Sequence, residues 1–139
     1  MSSVPGHASP KWICSRQASV VFLAIVLLAV LGLSLNPRPE AILGRLSLYD
    51  KAGHFAAYLV LSFFAMRSIG RRGALPLVLA VAACTALGGL IEIIQPLVGR
   101  RMELGDFLVD LGGSAIGPVI AAVLSWMARG KGPAGPSQI

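Results

Sequence analysis

The sequence predicts an all-α polytopic membrane protein: four transmembrane helices packed as a small bundle, with both termini cytoplasmic. Two observations carry that prediction. Four apolar runs of about 20 residues, each long enough to span a bilayer core, are separated by short connections that hold most of the charge. Charged residues make up 13% of the 139, and hydrophobic residues 55%, whereas a soluble domain carries about 25% charge. The net charge of +6 comes from twelve Lys and Arg against six Asp and Glu. These cations flank the apolar runs, which marks them as headgroup anchors and argues against a nucleic-acid partner.

Residues 1–17 are polar, with Pro5, Pro10, Lys11 and Arg16, and read as a disordered cytoplasmic tail. The membrane domain covers 18–128. Its first span, 18–35, ends at Asn36-Pro37 and reaches about 27 Å at helical rise. It is longer than a signal-peptide core, and no cleavage pattern follows Leu33-Ser34-Leu35, so it is expected to be retained. Pro37, Pro39 and Gly44 mark a loop before the second span, 50–69, where Ser47-x-x-Asp50 fits a capping box. The third span, 75–98, has Pro76 in its first turn, a tolerated position. Pro96 near its end has two readings: a proline that frees the Glu92 carbonyl, or, favoured, the mark of a helix fraying towards Gly99. The fourth span covers 106–127, and 129–139 reads as a second disordered cytoplasmic tail, rich in Gly and Pro. Cys14 and Cys84 are placed too differently to predict a disulfide. Cys14 is an interfacial thiol that palmitoylation could use, although a free cysteine is the simpler expectation.

Four spans put Lys11, Arg16, Arg67, Arg71, Arg72, Arg129 and Lys131 on one side, and Arg38, Arg45, Lys51, Arg100 and Arg101 on the other. Seven against five favours cytoplasmic termini. All six carboxylates, Glu40, Asp50, Glu92, Glu103, Asp106 and Asp110, then fall on or near the extracytoplasmic side.

The strongest single feature is Glu92, inside an apolar run. A carboxylate at that depth costs about 2.5–3.5 kcal/mol on insertion scales. Helical spacing gives it company. Asp50, His54 and Tyr58 form a stripe on span two; Gly88, Glu92 and Gln95 share a face of span three; Asp106 and Asp110 start span four, with Gly113 and Gly117 continuing nearly the same face. Such stripes avoid lipid by facing one another. They predict a small polar pocket open to the outer surface, capped by the loop with Arg100 and Arg101. Plainer roles compete. Asp50 and Asp106 suit helix caps, and Lys51, Arg100 and Arg101 suit headgroup anchors. Tyr58 suits packing or the interface, Gly113 and Gly117 suit close helix packing, and Glu92 suits an ion pair with Lys51 or Arg100. His54 beside carboxylates suits acid–base or proton-carrying chemistry. No paired histidines predict a metal, no cofactor is expected, and no nucleophile pattern assigns catalytic residues.

The segment Asp50-Lys51-Ala52-Gly53-His54-Phe55-Ala56-Ala57-Tyr58 resembles the DKxxHFxxY signature of the VanZ-like family, and Glu92-Ile93-Ile94-Gln95, Gly99-Arg100, Asp106 and the glycine-rich start of the last helix follow in order. The likeness covers about Asp50 to Gly117. It departs at Asp110, where the family usually has asparagine, so a role that needs an amide donor there is in doubt. The resemblance implies a small four-span protein of the bacterial envelope, in the cytoplasmic (inner) membrane, from a family named for a member associated with glycopeptide resistance. The expected function is binding of a lipid-linked or glycan/phosphate headgroup in the outer polar pocket, affecting glycopeptide sensitivity or envelope polysaccharide. The alternatives are a membrane-embedded enzyme on such a lipid, a proton- or ion-coupled transporter subunit, and a purely structural subunit. Expected partners are membrane lipids and a lipid-linked envelope precursor, with homo-oligomerisation left open.

Overall fold

The structure, a computed structural model, describes residues 15–37, 50–70 and 73–129, the side chains of Asp50 and Arg129 excepted. The expectations for the terminal tails beyond these limits, Cys14, the Ser47 half of the capping box and the Arg71–Arg72 loop lie outside the described residues. Four long helices follow in order: α1 (Arg16–Ser34), α2 (Asp50–Ile69), α3 (Ala74–Ile94) and α4 (Leu104–Arg129). All four contain a stretch long and apolar enough to cross a membrane, as the sequence predicts.

α2 keeps its predicted limits, and the ends of the other three helices differ from prediction, each for a local reason. α1 starts at Arg16, so Arg16 and Gln17 belong to the helix and not to a disordered tail. Ser15 caps it, its Oγ accepting from the Ala18 N–H at 3.1 Å. α2 stops before Gly70, whose φ of 68° suits a glycine helix end. α3 tightens into a 3₁₀ turn over Gln95–Val98, and Gly99, at φ 81°, closes it. Pro96 therefore sits at the helix end, and the fraying alternative describes it better than a mid-helix break. α4 begins at Leu104, two residues before Asp106, and contains Pro118.

α2 and α4 form the closest helix pair. A Cβ on Gly113 would meet the Phe55 carbonyl oxygen and the Leu59 nitrogen; one on Gly117 would meet the Leu59 carbonyl oxygen, Ser62 Oγ and the Phe63 nitrogen. Absence of side chains here lets the two backbones touch, and Ser62 Oγ donates across the seam to the Gly113 carbonyl at 3.3 Å. The buried face of α4 is Asp106, Asp110, Gly113, Ser114, Gly117, Pro118 and Ala121. α1 packs against α2, where Phe22 stacks on Phe64 with centroids 5.2 Å apart. Val30, Tyr58, Leu61, Cys84 and Ile91 make an apolar core shared by α1, α2 and α3. The outside is apolar too: Val21, Ile25 and Leu28 on α1, Val78 and Ile93 on α3, and Leu108 and Val123 on α4 are all exposed. Such a surface needs lipid around it.

Candidate functional site

The three polar stripes do converge. His54, one turn into α2, lies between two carboxylates spaced one turn apart on α4. Its Nδ1 is 3.0 Å from Asp110 Oδ1, a hydrogen bond, and its Nε2 is 3.9 Å from Asp106 Oδ2, an electrostatic contact. A neutral imidazole has one donor and one acceptor, whereas an imidazolium offers a donor on each nitrogen. Glu92 of α3 interacts electrostatically with His54, Asp106 and Asp110. Tyr58, one turn below His54, is 1% exposed and lies near Asp110, both bordering Gly88. It is thus a packed core residue and not an interfacial aromatic. Gly88 makes room for this meeting: a Cβ there would lie 3.3 Å from Asp110 Oδ2 and 3.4 Å from Tyr58 Cε1. Gly88 shares the Glu92 face of α3, so its place was legible, but its role as the clearance between two site side chains was not.

The expected open polar pocket is not what forms. The His54 side chain is 10% exposed and that of Asp110 2%, while Asp106 and Glu92 are 5% and 4% exposed. The helices pack tightly enough to seal the cluster, because Gly113 and Gly117 draw α4 onto α2. Among the described residues no three of His, Cys, Asp and Glu are placed to hold one metal ion. The side chain of Asp50, the expected fourth member on α2, lies outside the described residues. Lys51 is exposed, with Nζ 2.9 Å from where a Gly105 Cβ would stand.

Glu92 does not pair with Lys51 or Arg100. Its Oε2 accepts the backbone N–H of Glu103 at 2.9 Å. Glu103 immediately precedes α4, so a carboxylate from α3 caps the positive end of another helix. Asp106, in the first turn of the same helix, adds a second favourable anion there while facing His54.

Arg100 and Gln95 belong to a different construction from the expected pocket cap. Arg100 Nη1 donates to the carbonyls of Leu33 and Ser34, both at 3.2 Å. Buried Gln95 points the same way, its Nε2 3.5 Å from the Ser34 carbonyl. Both serve the carbonyl end of α1, which has no further helical turn to bond. Arg101 in the same connection remains exposed.

Between the end of α3, residues 102–104 and the start of α4 lies a groove of about 230 Å³, lined by Gly89, Glu92, Ile93, Met102, Glu103, Leu104 and Phe107. It opens sideways on the bundle, where Ile93, Met102 and Leu104 are exposed. Comparison of the chain with known protein families, with curated proteins and with solved structures finds no match.

Proposed function

We propose that this chain is a multi-pass protein of the bacterial cytoplasmic membrane, with cytoplasmic termini, that recognises the headgroup of a lipid-linked envelope precursor on the extracytoplasmic side. The observation that carries the reading is the meeting of His54, Asp106 and Asp110, with Glu92 beside them, at one end of an apolar bundle. Holding these groups in a membrane is costly, and packing alone would be served by apolar side chains. The likeness of residues 50–58 and 92–106 to the VanZ-like signature supports an envelope role. Phosphate recognition falls to Lys51 and Arg101, which are exposed at the same end, because Arg100 is engaged with α1.

Cells that express His54→Ala, Asp110→Ala or Arg101→Ala at wild-type levels test this. The expected result is a changed pool of lipid-linked precursors and changed sensitivity to a glycopeptide antibiotic. Wild-type values for both would overturn the reading. A second reading, proton exchange in a coupled transporter, is favoured by the 3.0 Å contact between His54 and Asp110. Proton flux in proteoliposomes that vanishes in His54→Ala would select it.

A further inference from the structure

Glu92 is 4% exposed, and its two oxygens have unlike surroundings. Oε2 takes the Glu103 N–H, whereas Oε1 is buried with no hydrogen-bond partner among the described residues. In hydrocarbon no water is at hand to supply a donor, and a carboxylate oxygen without one is a strong acceptor waiting to be used. The same residue lines the lateral groove.

The groove itself suggests its occupant. Gly89, Ile93, Met102, Leu104 and Phe107 offer hydrocarbon, and the charged lining residues are two carboxylates, Glu92 and Glu103, with no cation. An anionic head is therefore repelled, and a hydrogen-bond donor is favoured. The rim residues Ile93, Met102 and Leu104 are 59–68% exposed, so the rim offers apolar surface to a bilayer. The cluster of His54, Asp106 and Asp110 is sealed on its own side, and Glu92 stands between it and the groove, interacting with all three.

We propose that this groove is a lateral binding site, reached from the bilayer, for an amphiphile whose chain lies along Gly89, Ile93 and Phe107 and whose ammonium or hydroxyl donor reaches Glu92. The inference deepens the headgroup reading and rests on it. It adds the route and the sign: the ligand comes through the membrane, and the part that meets Glu92 is a donor, not a phosphate.

The test uses full-length protein in nanodiscs, with Phe107→Trp as the reporter and Trp12→Phe and Trp126→Phe removing the other indoles. Bromododecylamine, bromododecanol and bromododecyl phosphate are titrated as quenchers. Saturable quenching by the amine or the alcohol, with the phosphate showing only linear partitioning, is expected. Glu92→Gln should weaken the amine by about ten- to hundred-fold, as loss of a hydrogen bond to a charged group does. Gly89→Leu, which fills the groove, should abolish saturation. If Gly89→Leu fails to fold, Ile93→Trp in the same background with Phe107 restored narrows the rim from an exposed position and should do the same. Linear quenching by all three amphiphiles, or saturation indifferent to both Glu92→Gln and the groove-filling variant, overturns the site. If His54→Ala alters precursor pools while amine quenching stays linear, the groove fails and the headgroup reading survives. Saturable amine binding with unaltered pools upholds the groove and overturns the headgroup reading.

Discussion

The two ends of the bundle handle polar groups in opposite ways. At the end where α1 begins and α2 finishes, the described cations are absorbed by backbone and ring. Arg16 Nε donates to the Ser68 carbonyl at 2.8 Å, and Arg67 lies over the Phe63 ring at 5.8 Å. No described carboxylate takes part. At the other end Arg100 does the same service for α1, but beside it stand groups that face one another: His54 with Asp106 and Asp110, and Glu92 close by. Cations on helix carbonyl ends are a structural solution, since the carbonyls need donors wherever the helix stops. His54 and Asp110, turned on one another inside the bundle, satisfy no such need, whereas Glu92 and Asp106 also serve the start of α4. The contrast sets the polar residues that build the bundle, Arg100 among them, apart from the His54–Asp110 pair on which the proposed function rests.

Substitutions at four positions test that separation, from the largest expected effect to the smallest. Gly117→Leu should be the most damaging. Its side chain would meet the α2 backbone at Leu59 and Phe63 as well as Ser62 Oγ, so a loss above about 3 kcal/mol is expected in reversible detergent unfolding, with both ends of the seam affected. Asp110→Ala removes a hydrogen-bond partner of His54 inside the bundle, and a loss of about 3 kcal/mol is expected. Asp110→Asn keeps an acceptor for Nδ1 and should recover most of that stability. If Asn also restores the precursor phenotype, the charge at this position is dispensable. Arg100→Ala should cost about 1–2 kcal/mol by the same measurement, through the α1 carbonyls it leaves without donors, while ligand binding in nanodiscs stays within two-fold of wild type by that argument. A larger loss of binding would move Arg100 to the functional group. Arg101→Ala should leave unfolding unchanged and act only on phosphate-bearing ligands.

Much of this was legible in the sequence, and the limits are physical. Apolar run length placed the four spans, and helical spacing placed His54, Asp106, Asp110 and Glu92 on facing stripes, because both depend only on local periodicity. Gly113 and Gly117 were readable as packing residues for the same reason. The partners of the long side chains were not. Arg100 reaches the end of α1, 66 and 67 residues away, and which carbonyls it meets depends on where that helix stops in space. Glu92 finds a backbone N–H, a donor with no sequence signature of its own, instead of either predicted cation. The sealed state of the cluster depends on how closely α2 and α4 approach, which spacing cannot measure. The lateral groove was missed because its lining, Gly89, Met102, Leu104 and Phe107, has no motif and is assembled only by the turn from Gln95 through Glu103.

The glycine seam has a consequence for how the protein is made. α2 meets α4, not a sequence neighbour, and His54 waits for Asp110, 56 residues further along the chain. During synthesis the second helix enters the membrane carrying an imidazole whose α4 partners do not yet exist. Insertion of that helix, with Lys51 and His54 in its first turns, is therefore the delicate stage of biogenesis, and arrival of α4 supplies the missing partners. A nascent chain halted before Leu104 would lack both aspartates and the glycine surface that draws the helices together.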